Sequence, residues 1–393
     1  MSRVVNLFAA PSSSCKPVES DKDVDFEDDL QAGIFVTFAG MLLALGMLMV
    51  YSSSITAVPS QEEQTFLFRQ MTFLLLAGVL GIAVSRVPAG LWKGLAPLFY
   101  MGTVILLVLV LIPGVGRSIN GAQRWFRLGP ISFQPSEAAK LTLPMALCML
   151  VFQHRLKTRW DLTNILTYGG LTLLPMLLIV MEPDLGTALF LGLTSVIALW
   201  LCGGPWKYFC LAAGALSPLS LLVFALKPYQ VARLRGFIDT WVNPEDAPYQ
   251  IQQSLTTLGA GGIRGVGLGQ GWQKLSFLPE ANTDFVVAVV GEELGLIGTL
   301  GVVFLWTGIY LSGLQLVRRM PNATFERALS MTLLTMLVVQ ATINLGVITA
   351  LLPPKGISHP FISYGGSNLG LSIVCLGVIV SLTRVPRNFT LEG

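Results

Sequence analysis

Residues 295–317 read GLIGTLGVVFLWTGIYLSGLQLV, an apolar run with no charged side chain, closed by Arg318 and Arg319. A bilayer core asks for roughly 20 apolar residues per helix, so this run is long enough to cross one. Working outward, the same pattern returns at 31–52, 68–87, 91–112, 135–153, 164–182, 184–202, 206–226, 328–351 and 363–383. The whole 393-residue chain is 53% hydrophobic and only 12% charged, which excludes an ordinary soluble globule. Backbone groups in lipid must pair within their own segment or in a closed barrel. The runs are continuous rather than alternating, which argues against a barrel. The expected fold is all-α: a polytopic membrane protein with about ten transmembrane helices and one large extracytoplasmic loop.

Orientation follows from Lys and Arg in the short connections. With an even number of spans, one side carries both termini together with Arg86, Lys93, Arg155, Lys157, Arg159, Lys207, Arg318, Arg319, Arg327, Arg384 and Arg387. The other side carries few, except Arg117, Arg124 and Arg127. Both termini are therefore expected in the cytoplasm. No cleavable signal peptide is visible at the start. Residues 1–30 are rich in acid (Glu19, Asp21, Asp23, Asp25, Glu27, Asp28, Asp29) and read as a disordered cytoplasmic tail, solvated or partner-docking. Residues 31–387 form one membrane domain, and 388–393 a short cytoplasmic tail. The five cysteines show no paired spacing, and with only two histidines a His-based metal cage is nearly excluded.

The longest connection, 227–294, exceeds ordinary loop lengths, and such loops usually carry function. Tyr249 to Leu258 suits a short amphipathic helix. Residues 259–271, GAGGIRGVGLGQG, lack the Gly-Lys-Ser/Thr ending of a phosphate-binding loop. They suit a tightly turned segment or backbone amides approaching a diphosphate. Phe285 to Gly295 contains Glu292 and Glu293 and suits a half-helix re-entering the protein.

Asp284 ends that loop, directly before the apolar run. A carboxylate at this border needs a partner or a task. It can cap the following helix, or act as a general base or metal ligand, and these roles can coexist. The loop GRSINGAQRWFR at 116–127 holds Arg117, Arg124 and Arg127 against the charge bias. It reads as an interfacial anchor or as an anion site, since Arg grips phosphate bidentately. Glu137 and Lys140 stand at i and i+3 and should pair inside the bundle, as a structural ion pair or as the lining of a polar cavity. Asp184, after Pro183, suits a helix cap. Lys355 and His359 border a proline-rich strap, where a lone His reads as a surface residue.

Taken together, NGAQRWFRLGP, ISFQPSEAAKL, MEPDLGTA, the stretch from YQIQQSLTTLGAGG to LPEANTDF and beyond, and LLPPKGISHPFISYGGSN occur in the order of the SEDS family (shape, elongation, division and sporulation). The chain resembles that family over residues 30–387, and most of all its division branch or sporulation relative. The resemblance implies a peptidoglycan glycosyltransferase that polymerises lipid II for septal wall synthesis. It places the family's catalytic Asp at Asp284 and its buried pair at Glu137 and Lys140. Arg117, Arg124, Asp184, Lys274 and Lys355 fall on polar motif positions and are expected to bind substrate. The chain departs from the family at Asn282, where a His is common, and at Asn368, where a Ser is common. Implied partners are lipid II, a class B penicillin-binding protein and other divisome membrane proteins, with no nucleic acid. No cofactor is fixed, although a divalent cation, Mg or Mn, could offset the diphosphate charge. A lipid II flippase and a non-catalytic division scaffold are the alternative functions.

Overall fold

The computed structural model describes residues 21–54, 61–119, 122–128, 131–154, 159–210, 214, 228–274, 277–354 and 356–384. The expected seventh span (206–226) lies mostly outside the described residues, as do residues 1–20, Lys355 and the C-terminal tail. The helices are α1 (Asp21–Ser54), α2 (Gln61–Ser85), α3 (Ala89–Leu111), α4 (Pro135–Gln153), α5 (Leu162–Met181) and α6 (Leu185–Leu201). They continue as α7 (Pro228–Val242), α8 (Tyr249–Gly261), α9 (Val286–Arg318), α10 (Phe325–Ile348) and α11 (Gly366–Thr383). Among the described residues, 8 helices are long and apolar enough to span a membrane, and α6 is a shorter apolar helix. The chain is a multi-pass membrane protein.

Two boundaries differ from the sequence reading. Helix α1 starts at Asp21, so Asp21, Asp23, Asp25, Glu27, Asp28 and Asp29, expected in a disordered tail, lie in its first turns. The loop before α4 folds as a three-stranded antiparallel sheet, β1 (Arg117–Ile119), β2 (Ala122–Leu128) and β3 (Ile131–Phe133). The alternation of residues in AQRWFRL is short and lies between apolar runs, so it is easily read as loop.

Helix α4 is the most enclosed span, lying against α3, α6 and α10, while α11 packs along α2 and α9 along α1. Hydrogen bonds sort the connections into two ends. At one, Arg384 bonds Ser85, Ser381 bonds Val87, and Tyr208 bonds Trp160. At the other, the sheet, the α5–α6 turn, the segment before α9 and the strap between α10 and α11 come together. This is the alternation that an odd-then-even run of spans requires. The long connection is mostly structured, with α7, a short turn of helix at Pro244–Asp246, and α8 at the position the amphipathic reading gave.

Candidate active site

Helix α9 begins as a buried half-helix and breaks at Gly295 (φ 68, ψ −161) before continuing as the span. Only glycine fits there: a Cβ would lie 2.3 Å from the Gly265 nitrogen and 2.5 Å from the Ile263 oxygen. The glycine-rich run is pressed against this break. Val266 and Gly267 donate to the Glu292 and Glu293 carbonyls, and Leu296 donates to Gly262. Amides in it and just after it serve the chain's own acids. Trp272 and Gln273 N–H donate to Glu292 Oε1 at 2.8 and 3.1 Å, and Gly269 N–H to Glu293 Oε2 at 3.0 Å. Lys274 Nζ lies 2.5 Å from Glu293 Oε1 and donates to Ser52 Oγ at 2.8 Å, while Ser52 donates to the same carboxylate. The expected substrate lysine is thus fully buried in a structural ion pair. In this structure the amides of Gly269, Trp272 and Gln273 bind carboxylates of the chain itself.

This turn fixes the register of the segment leading to Asp284. The cap position of α9 is Phe285 and carries no side-chain cap bond, so Asp284 does not serve as the cap. Its side chain is half-buried instead, and Ser358 Oγ donates to Oδ1 at 3.3 Å. A Cβ on Gly356 would sit 3.2 Å from Oδ2, so the strap passes close over the carboxyl. Burial raises the Asp284 pKa from 3.8 to about 6, helped by the negative charges of Glu280 and Asp184. The Ser358 hydrogen bond and Arg233 pull the other way. A carboxylate tuned towards neutral pH is what a general base needs.

Arg124 holds the neighbouring turn. Its Nε donates to the Glu182 carbonyl at 2.9 Å and its Nη2 to the Pro183 carbonyl at 2.6 Å, and Nη1 lies 3.4 Å from Asp184 Oδ2. Asp184 caps α6, accepting from Thr187 N–H at 3.1 Å and from its hydroxyl at 2.9 Å. Both residues stand beside the site through structural bonds rather than as a bare anion fork. Glu182 is fully buried, and burial with the nearby Asp184 charge pushes its carboxyl up to about 8. Arg117 is exposed on β1. Glu137 and Lys140 pair at 2.7 Å inside α4, with Lys140 also 5.4 Å from the Phe190 ring centre.

The strap itself is buried more deeply than its composition suggested. His359 is fully enclosed, not a surface residue. Trp306 Nε1 donates to its Nε2 at 3.2 Å, and its Nδ1–H donates to the Pro360 carbonyl at 2.9 Å. Burial lowers its pKa to about 4, so it is a neutral packing residue. The departures from the family motifs are accommodated. Tyr364 N–H donates to the Asn282 carbonyl, and Asn368 bonds Gln340 and the His359 carbonyl. Sequence reasoning missed Ser358, Gln340 and Asn344, because uncharged amides and hydroxyls in or beside a span carry no cost signal of the kind a charge does.

A family model described as "Cell cycle protein", covering FtsW, RodA and SpoVE, matches residues 33–388. The chain belongs to the FtsW/RodA/SpoVE family. A probable peptidoglycan glycosyltransferase FtsW of Geobacter sulfurreducens is 36% identical over 355 residues, covering 89% of this chain and 94% of the relative. One from Coxiella burnetii is 36% identical over 351 residues, covering 88% and 94%. Among solved structures, a chain of a peptidoglycan synthase complex that coordinates polymerization and crosslinking matches with TM-score 0.72 at 30% identity, covering 89% of this chain and 96% of that one. The rod shape determining protein RodA of Thermus thermophilus matches with TM-score 0.65 at 28% identity, covering 89% and 95%. Membership of this family accounts for the order of the motifs.

Proposed function

We propose that this chain is a peptidoglycan glycosyltransferase that polymerises lipid II at the outer face of the cytoplasmic membrane, for septal wall synthesis, with Asp284 as its base. The observation that carries the catalytic reading is Asp284 itself: a half-buried carboxyl that caps no helix and is raised to about 6. The Lys and Arg distribution supports cytoplasmic termini and an outward site. The relatives' names support the reaction, and the synthase complex supports a class B penicillin-binding protein as partner, with other divisome proteins around it.

In this reaction the 4-hydroxyl oxygen of one lipid II bonds to the anomeric carbon of another chain end. The bond from that carbon to the diphosphate breaks, and Asp284 takes the hydroxyl proton. The α-linked diphosphate becomes a β-1,4 bond, so a single displacement with one base suffices, as in inverting hydrolysis with sugar replacing water. The leaving diphosphate needs positive charge more than a strong acid. Lys274 and Arg124 are engaged by the protein, which makes the exposed Arg117 the described motif cation to test for it; Lys355, outside the described residues, is to be tested beside it. Among the described residues no three His, Cys, Asp or Glu side chains gather into a metal cage. A divalent cation would therefore be held chiefly by the substrate's own diphosphate oxygens and water, as Mg often is, and would offset diphosphate charge.

The test is purified protein with labelled lipid II, with and without a class B penicillin-binding protein. Glycan polymer from the native chain and none from Asp284→Asn is expected. Movement of lipid II across the bilayer without polymer would make it a flippase, and neither activity would leave a scaffold.

A further inference from the structure

Gln340 and Asn344 stand at i and i+4 on α10, so they share one face of that helix, and both are buried. Gln340 Oε1 faces Lys140 Nζ at 3.4 Å, a group that can only donate. That contact fixes the amide the other way round at its nitrogen. Nε2 donates to the Ser358 carbonyl at 2.9 Å and to Asn368 Oδ1 at 3.1 Å, both acceptors. One turn on, Asn344 Nδ2 donates to the Ile357 carbonyl at 3.0 Å and to the Asp284 carbonyl at 2.8 Å. Two successive carbonyls of the strap are therefore gripped by one helix face. The same face also grips the backbone of Asp284.

The consequence falls on Ser358. Its hydroxyl reaches Asp284 Oδ1 at 3.3 Å, longer than the usual range for such a bond. A slight shift of the strap would lose it. The hydroxyl's aim depends on where the Ser358 backbone is held, and Gln340 holds it. Gln340 in turn is oriented by Lys140, which pairs with Glu137 at 2.7 Å.

We infer that Gln340 and Asn344 are positioning residues of the transferase: they register Ser358 against Asp284, and the Glu137–Lys140 pair serves the reaction by fixing Gln340 in the orientation this needs. The inference rests on Asp284 being the base. It gives the buried pair a task without placing it against the substrate. It also suits an amide at Gln340, which accepts from Lys140 at its oxygen while its nitrogen donates to the Ser358 carbonyl.

The readout is the pH profile of polymerisation. Asp284 faces Glu280 from its own segment, Arg233 from α7 and Asp184 from the α5–α6 turn. Those groups stay in place when Ser358 is changed. The hydroxyl favours the ionised carboxylate, so its loss raises the pKa and moves the acid limb upward. In the full chain with its penicillin-binding partner, Ser358→Ala should move that limb up by about half to one pH unit, given what a hydrogen bond to a charged group is worth. Ser358→Thr should restore it. Gln340→Met, neutral and of similar length, should move it the same way, and the double variant should move it no further than Ser358→Ala alone. The KM for lipid II should hold within about twofold, since neither side chain is assigned to substrate.

An unmoved limb in Ser358→Ala, or strictly additive shifts in the double variant, would overturn the inference. Where Gln340→Met does not fold, by melting curve, the Ser358→Ala and Ser358→Thr pair decides alone. Polymerisation by Asp284→Asn would remove the base itself, a separate failure that these variants do not produce.

Discussion

Asp284→Asn should make the protein more stable while abolishing its activity. The carboxyl is raised from 3.8 to about 6, chiefly by burial. Between those pH values the folded chain holds a proton that the unfolded chain has released, so stability falls as pH rises through that window. Above about pH 6 the whole cost is present. At about 1.4 kcal/mol per pH unit it reaches up to about 3 kcal/mol, and the open edge of the half-buried side chain trims it. Asparagine is neutral at every pH and keeps an oxygen for Ser358. Its advantage should therefore be full at pH 7.5 and gone by about pH 4. Thermal melting in detergent micelles at pH 7.5 and pH 4.5, followed by intrinsic fluorescence, measures the difference. Polymerisation by the native chain should fall as pH drops through about 6, and Asp284→Asn should lose about 10²–10⁴-fold, the usual loss when a general base is removed. A variant no more stable than the native chain at pH 7.5, or equally favoured at both pH values, would refute the claim that burial strains this carboxylate.

Lys274→Met should cost about 3–5 kcal/mol by leaving Glu293 as a buried unpaired charge, and Lys274→Met with Glu293→Gln should recover most of it; native-like melting of the single variant with lost activity would return Lys274 to the substrate. Gly295→Ala should prevent folding, since its methyl would lie 2.3 Å from the Gly265 nitrogen, and a monodisperse, active variant on size exclusion would contradict that approach. Arg124→Lys should lower initial rates over the whole range of lipid II concentration, because a single ammonium cannot replace a fork holding the turn at 182–184, whereas Arg117→Lys should raise KM alone if Arg117 meets the diphosphate. In a cysteine-free background, Asp246→Cys should react with an impermeant thiol reagent in spheroplasts and Asn322→Cys should not; the reverse pattern would invert the membrane orientation.

The sequence alone marked the eight long apolar helices that the described residues show, because a charge-free run of some twenty residues has one low-energy solution in lipid. It also singled out Asp284, Glu137, Lys140 and Asp184, since a charge at or inside a membrane border is costly enough to stand out. The orientation rests on sequence alone, as no contact distinguishes one side of the bilayer from the other. Only the tertiary structure could decide what each group faces. Lys274 and Lys140 are equally conspicuous as isolated letters, yet Lys274 is sealed against Glu293 while Lys140 leads through Gln340 to the strap. Amides in and just after the glycine run could meet a phosphate or a carboxylate, and beside the close approach of Gly265 to Gly295 those of Gly269 and Trp272 meet Glu293 and Glu292. His359, written in a polar strap, is buried because that strap folds inward to reach Asp284. Local pattern reports the cost of placing a group; the partner that offsets the cost lies far away in sequence, and packing alone brings the two together.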